Sequence, residues 1–375
     1  MKRSREPSHA YPLNTIYFYL TKGCNLRCRH CWIRPEYQGE GKTHPSLDPA
    51  LFRRVLDQAR PLGLASVKLT GGEPLIHPCI EDLLNEVLAG SLGLSVETNG
   101  TACTFDLARR MKACRHAHVA VSLDGTDRET HEWVRGVSGC FQETLAGIGR
   151  LVSVGFRPQI IMSVMRRNWD RLEEMVRLAE SLGAGSVKFN VVQPTARGEE
   201  LHRSAETLSI EELTTLGDFV EKELSASTKL SLHFGHTLAF QPLGRMFGPT
   251  GNGCSVCGIK GILGVLADGS YALCGIGESV PEMVFGRAAE EDLIDVWRNN
   301  PILQEIRSGL PHRLTGVCRE CLMKARCLGT CIAQTYYATK SLWAPFWYCE
   351  QARAAGLFPA SRSTGDSDRP YPPIR

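Results

Sequence analysis

Three cysteines stand within eight residues, Cys24, Cys28 and Cys31, in the run Thr21-Lys-Gly-Cys-Asn-Leu-Arg-Cys-Arg-His-Cys-Trp32. The strand-like run Asn14-Thr-Ile-Tyr-Phe-Tyr-Leu20 comes immediately before them. A C-x3-C-x2-C loop at a strand end lets a short piece of backbone wrap its sulfurs around one compact metal centre. Thiolates suit zinc or an iron–sulfur cluster. Both normally take four protein ligands, and the next cysteine in the chain is Cys79. Three thiolates on a four-iron cluster leave one iron open to a small molecule. The alternative is a zinc site completed by His30, but a residue wedged between two ligands points poorly at the same metal.

Bulk properties narrow the class. The chain has 375 residues, enough for a large domain and a smaller one. Its 43 basic and 40 acidic residues leave a net charge of +3, which gives no support to nucleic-acid or membrane binding. The apolar runs are of strand length, too short for a membrane span. Met1-Lys-Arg-Ser-Arg-Glu-Pro is basic with no apolar stretch behind it, so no signal peptide is expected. Fifteen cysteines without an export signal point to thiolate ligands in a reducing cytoplasm rather than to disulfides.

The first half alternates short apolar runs with helical patterns. Strand-like runs cover Ser66–Thr70, Leu94–Thr98, Ala117–Leu123, Gln159–Val164 and Ser186–Val192. Helical patterns cover Pro49–Leu62, Ile80–Leu88, Phe105–Cys114, Gly139–Val154 and Asn168–Leu182. With the first strand this makes six β/α units: an α/β fold, a partial (β/α)6 TIM-like barrel. Chemistry in such barrels collects at the C-terminal ends of the strands. Thr70-Gly-Gly-Glu-Pro74 sits at one such end, where Gly71 and Gly72 permit close backbone approach and Glu73 offers a carboxylate. The same run would also serve as an ordinary strand-to-helix turn. Glu97-Thr-Asn-Gly100 is a turn or a ligand contact. Ser122, in Val121-Ser-Leu-Asp-Gly125, and Arg135 could hold a ribose or carboxylate, although a lone arginine is more often a surface residue.

The second half differs in composition. A cap-like Leu208-Ser-Ile-Glu-Glu212 opens an amphipathic helix to Leu224. Beyond it come Cys254, Cys257, Cys274, Cys318, Cys321, Cys327, Cys331 and Cys349. Eight thiolates would also serve two zinc ribbons. Cys79, Cys103, Cys114 and Cys140 are dispersed and read as small buried residues.

The C-x3-C-x2-C run resembles the signature of the radical S-adenosylmethionine (radical SAM) superfamily, with His30 where that family usually carries Tyr or Phe. Gly71-Gly72-Glu73-Pro74 looks like the family's element that contacts the methionine amine. The Ser122 to Arg135 stretch resembles the segment by which peptide-modifying members bind S-adenosylmethionine. The late cysteines resemble the family's SPASM extension, with eleven residues between Cys257 and Gly269. The resemblance implies a partial barrel over residues 12–205, a linker helix and strand over 206–250, a SPASM domain over 251–352 and a flexible tail over 353–375. It implies S-adenosylmethionine and three [4Fe–4S] clusters: one on Cys24, Cys28 and Cys31, and two auxiliary clusters. The auxiliary sets would be Cys254, Cys257, Cys274 and Cys331, and Cys318, Cys321, Cys327 and Cys349, with Cys254 not fixed by the pattern.

The expected function is that of a peptide- or protein-modifying oxidoreductase. It would abstract hydrogen from a substrate residue and leave an oxidised or cross-linked product. The alternatives are a formylglycine-forming sulfatase maturase, a small-molecule radical SAM dehydrogenase, a polyferredoxin-like electron carrier and a zinc scaffold. Implied partners are a peptide or protein substrate, an electron donor such as flavodoxin or ferredoxin, and a separate leader-peptide-binding protein. Few residues precede the first strand, too few for a winged-helix recognition domain.

Overall fold

The computed structural model describes residues 11–39, 41–247 and 257–364. Ten strands form one sheet, and eight of them run parallel. In chain order the first six are β1 (Thr15–Tyr19), β2 (Ser66–Thr70), β3 (Gly93–Thr98), β4 (Arg115–Ser122), β5 (Gln159–Val164) and β6 (Ser186–Val191). These are the six expected strands, laid side by side in sequence order.

The helices between them are α1 (Pro49–Ala59), α2 (Ile80–Ala89), α3 (Phe105–Ala113), α4 (Arg128–Arg135), α5 (Cys140–Ser153) and α6 (Leu172–Ser181). After β6 come α7 (Gly198–Arg203) and α8 (Ile210–Lys222). The Asp48 carboxylate caps α1, accepting from Ala50 N and Leu51 N, and Pro49 supplies the first-turn residue that needs no donor. Ser209 and Glu212 form a reciprocal capping box on α8.

Alternation along β1 shows which way the sheet faces. Ile16 and Phe18 are fully buried, and the Phe18 ring lies 4.3 Å from Phe52 of α1. Thr15 and Tyr17 take the other face, where Thr15 Oγ1 meets Ser66 Oγ at 2.8 Å and Lys68 Nζ lies 4.9 Å from the Tyr17 ring. The helix side is thus apolar and the concave side polar, as period-two alternation requires.

Two parallel strands extend this sheet beyond the expected six. β7 (Ser231–Phe234) pairs with β6 at one edge, and β8 (Ile262–Val265) pairs with β1 at the other. β9 (Ser270–Ala272) and β10 (Val284–Arg287) then continue antiparallel from β8. The cysteine-rich half is therefore joined to the barrel through main-chain pairing at β1, the strand that carries the cysteine loop. α4, also absent from the periodic reading, is a short polar helix whose buried residues are His131, Val134 and Arg135. No helix is long and apolar enough to cross a membrane among the described residues.

Candidate active site

The cysteine loop is held by main chain from three directions. Gly72 N donates to Thr21 O at 2.9 Å and Glu73 N to Gly23 O at 3.0 Å. Arg27 N and Arg29 N donate to Arg135 O and Val134 O, each at 2.9 Å. Gln38 N donates to Cys24 O at 2.8 Å. A Cβ on Gly72 would stand 1.8 Å from Gly23 O, and Gly71 has φ +124 with its Cβ position 2.8 Å from Leu20 N. Both glycines are thus required where the end of β2 docks on the loop.

Cys24 and Cys28 are buried, and Cys31 is half-buried. Burial pushes the Cys31 thiol up to about 11, with Cys28 adding to the rise, and Cys24 is raised by burial and then by Cys28 and Glu73. Thiolates crowded into one desolvated place repel one another and call for a compensating cation. They line a cavity of 180 Å³ together with His30, Gly71, Gly72, Glu73, Ser122 and Arg135. All six ligand-contact candidates therefore face the same space as the three sulfurs. His30 Nδ1 is buried without a hydrogen-bond partner, and burial lowers the ring to about 4, so it is neutral at physiological pH. A buried neutral acceptor or donor left open on a cavity wall suits a polar ligand there.

Two of the expected contacts are already engaged. Glu73 accepts from Thr98 Oγ1 at 2.6 Å, Asn99 N at 2.8 Å and Leu75 N at 3.1 Å. Arg135 Nη2 pairs with Asp124 Oδ2 at 2.7 Å, and Arg135 Nη1 lies 3.5 Å from Cys28 Sγ. Burial raises the Asp124 carboxyl, but Arg135, the hydrogen bond from Ser163 N and the neighbouring histidine rings together outweigh it and hold it below the usual carboxylate range. Asp124 is the residue that sequence reading passed over; it lies two positions beyond Ser122 and is fully buried. Asn99, in the run that reads as a turn or a ligand contact, lines the cavity, and its side chain donates to Asn25 Oδ1 at 2.8 Å and so ties β3 to the cysteine loop. Glu97 also lines the cavity and pairs with Lys68 at 2.5 Å.

The late cysteines fall into two groups. Cys318, Cys321, Cys327 and Cys349 surround one small cavity with Thr237, whose Oγ1 is 3.1 Å from Cys349 Sγ. Cys257, Cys274 and Cys331 form the other group, close enough to repel one another as thiolates. Cys254 lies outside the described residues. Among the described residues no three or more His, Cys, Asp or Glu side chains converge tightly enough for a single metal ion. Sulfurs that face one another across a gap suit a polynuclear centre. Cys103, Cys114 and Cys140 are buried and Cys79 is half-buried.

A larger cleft of 410 Å³ adjoins the first cavity and shares Ile33, Pro35, Gly71 and Gly72 with it. Its far wall carries Glu278 and Tyr337. Glu278 ends the short turn Gly275–Glu278 after Cys274, and burial raises its carboxyl. A Cβ on Gly275 would meet Tyr19 Cε1 at 2.3 Å, which explains glycine there.

Comparison with known proteins gives two family matches: the radical SAM superfamily over residues 18–179, and the SPASM iron–sulfur cluster-binding domain over residues 254–322. An AdoMet-dependent heme synthase of Methanosarcina barkeri is 28% identical over 349 residues, covering 89% of this chain and 95% of that protein. The mycofactocin maturase MftC of Mycobacterium tuberculosis is 25% identical over 338 residues, covering 89% and 82%. The crystal structure of Streptococcus suis SuiB bound to its precursor peptide SuiA superposes with a TM-score of 0.69 at 18% identity, over 91% of this chain and 76% of SuiB.

Proposed function

Because this chain is a radical SAM superfamily member that carries a SPASM iron–sulfur domain, we propose that it modifies a peptide or protein by hydrogen abstraction, giving an oxidised or cross-linked residue. The observation that carries this reading is the shared wall at Gly71 and Gly72: the three-cysteine cavity opens beside a 410 Å³ cleft that Glu278 and Tyr337 complete. A cleft of that volume admits a side chain of a larger substrate.

Cys24, Cys28 and Cys31 would hold the cluster that leaves one iron to S-adenosylmethionine. The sets Cys254, Cys257, Cys274 and Cys331, and Cys318, Cys321, Cys327 and Cys349, would hold two auxiliary clusters, three in all. When bound, these groups supply a 5'-deoxyadenosyl radical and a route for the electron left on the substrate. The chain's own residues place and shield that chemistry. Neutral His30 offers a polar contact on the cavity wall without adding charge. Arg135, held by Asp124, puts a cation beside Cys28. Ser122 offers a hydroxyl to the nucleoside. Glu278 is placed to accept a proton at its carboxylate on the side of the cleft away from the three sulfurs, and burial raises its basicity.

The MftC likeness and the fold shared with a peptide-bound SuiB support a peptide substrate. A small-molecule substrate is the second reading, favoured by the alignment over 95% of a heme synthase. Reconstituted enzyme with S-adenosylmethionine and dithionite, offered candidate precursor peptides and tetrapyrroles in parallel and followed by product mass, separates the two. A mass change confined to a tetrapyrrole decides for the second reading.

A further inference from the structure

Lys68 on β2, Glu97 on β3 and Lys188 on β6 alternate onto the concave face of the sheet, the polar side away from the helices. Lys68 and Glu97 pair at 2.5 Å. Lys188 is half-buried and makes neither a hydrogen bond nor an ion pair among the described residues. Burial pushes both ammonium groups down. At Lys68 the Glu97 carboxylate, with Tyr17 and Cys257, outweighs that effect and holds the group above its ordinary value. At Lys188 Glu97 opposes burial only in part, Lys68 adds to the fall, and the group stays below its ordinary value. The neighbouring His118 and His233 bring no charge, since burial lowers both rings, and Arg245 beside His233 is cancelled by Glu221. Two lysines thus share one carboxylate, and Lys188 is the one without contact to it.

Register places this lysine. Lys188 stands beside Ile161 of β5, and Asn190, two residues on, stands beside Ser163. Ile161, Ser163, Asn190 and Glu97 all line the 180 Å³ cavity of the three cysteines. From Lys188 to Asn190 is about 6.6 Å of strand, a step that a four-carbon lysine stem spans. The unpaired ammonium therefore stands at the floor of that cavity, on its β6 side.

We propose that Lys188 anchors a carboxylate carried by the substrate. This rests on the reading of the cavity as the place of hydrogen abstraction, and it narrows the substrate class to acids: an aspartate or glutamate side chain of a peptide, or a propionate of a tetrapyrrole. A desolvated cation without a counter-ion in contact is stabilised by a ligand anion. Asn190 offers an amide to the second carboxylate oxygen, and Glu97, already held by Lys68, repels an acid that strays towards β3. S-adenosylmethionine also bears a carboxylate, but the cation nearest its sulfurs is Arg135, 3.5 Å from Cys28 Sγ, whereas no cysteine acts on Lys188.

The test uses reconstituted full-length enzyme with S-adenosylmethionine bound and two matched pairs of probes. One pair is a short peptide with a central glutamate and its glutamine twin; the other is a propionate-bearing porphyrin and its propionamide twin. By calorimetry, the acid of at least one pair should bind about tenfold or more tighter than its neutral twin, and that pair names the source of the carboxylate. Lys188→Met should abolish the preference and Lys188→Arg should keep it. Should Lys188→Met fail to fold, Lys188→Gln, which keeps a polar end without the charge, is scored in the same way. No preference in either pair overturns the proposal, as does a preference that survives removal of the charge. Loss of S-adenosylmethionine affinity in Lys188→Met would assign the lysine to that molecule's own carboxylate and overturn it too. If the wild type releases no 5'-deoxyadenosine with dithionite, the functional reading falls, and the probe pairs alone then decide whether Lys188 is an acid anchor.

Discussion

Arg135 and Asp124 form an ion pair at 2.7 Å in which both side chains are buried, and the same guanidinium lies 3.5 Å from Cys28 Sγ. Asp124 Oδ1 also accepts from Ser163 N at 2.7 Å. One carboxylate thus links β4 and β5 to the C-terminal end of α4 and, through the guanidinium, to the cysteine loop.

Asp124→Asn should therefore be costly. It leaves a buried guanidinium without its counter-charge, a loss of about 3–5 kcal/mol. Thermal unfolding should shift down, and the purified variant should bind less iron, because Arg135 O and Val134 O no longer hold Arg27 and Arg29 in place. Normal stability with normal iron would show that the pair has no structural role.

His131 makes a pH prediction beside that pair. Its Nδ1 accepts from Asp124 N at 3.2 Å, and its ring is fully buried. Burial, then the Arg135 guanidinium, pushes it down to about 3 from an ordinary 6.5. The folded state refuses a proton that the unfolded state takes up below pH 6.5. This stability is therefore present above 6.5 and is lost as pH falls towards 3, by about 1.4 kcal/mol per pH unit. His131→Gln keeps an acceptor for Asp124 N without the titration. Its stability should fall less steeply than wild type between pH 6 and 4 (about one proton's slope), measured by denaturant unfolding at each pH.

Gly72→Ala tests the role of the glycine pair. The added Cβ would sit 1.8 Å from Gly23 O, a backbone atom that cannot swing aside. The barrel should remain folded while the loop is displaced. Reconstituted wild type should carry about twelve irons in three four-iron clusters, and Gly72→Ala should lose about a third of them, as should replacement of Cys24, Cys28 and Cys31 together. Stoichiometric zinc with no broad visible absorption would sink the cluster reading.

Glu278→Gln addresses proton acceptance. The side chain keeps its size in the cleft and loses its basicity, so modified product should fall by about 10²-fold or more while 5'-deoxyadenosine release continues. Parallel loss of both would place Glu278 in cofactor binding instead.

Much of this site was legible in the sequence because covalent spacing carries it. C-x3-C-x2-C at a strand end, the Gly71-Gly72 pair and the late cysteines each state a local geometry that survives folding. What stayed hidden depends on partners far apart in the chain. Asp124 reads as part of a turn until Arg135 and Ser163 are seen against it. Glu73 reads as a free carboxylate until Thr98 and Asn99 arrive from the next strand and occupy it. The pairing of β7 and β8 into the sheet also stayed hidden, because each is only four residues and their parallel partners lie 45 and 247 positions away at Ser186 and Thr15.

The last prediction concerns formylglycine formation. The position after Cys274 carries no acid here: it is Gly275, and Glu278, three residues on, lines the cleft. The structure gives a reason beyond the missing side chain. The Tyr19 ring fills the space, with Cε1 2.3 Å and Cζ 2.6 Å from where a Cβ would be, and Ile33 closes the other side at 2.9 Å. Tyr19 is itself fixed, almost wholly buried on the strand that leads into the cysteine loop. An acid at residue 275 is therefore excluded by packing, and the nearest carboxylate on this segment is Glu278, one turn further on. A base displaced by a turn serves a differently placed substrate carbon. Incubation with a sulfatase-type cysteine peptide should leave its mass unchanged, and Gly275→Asp should destabilise the protein without creating that activity. Conversion of the cysteine peptide to formylglycine by the wild type would overturn the choice of substrate and make the enzyme a sulfatase maturase.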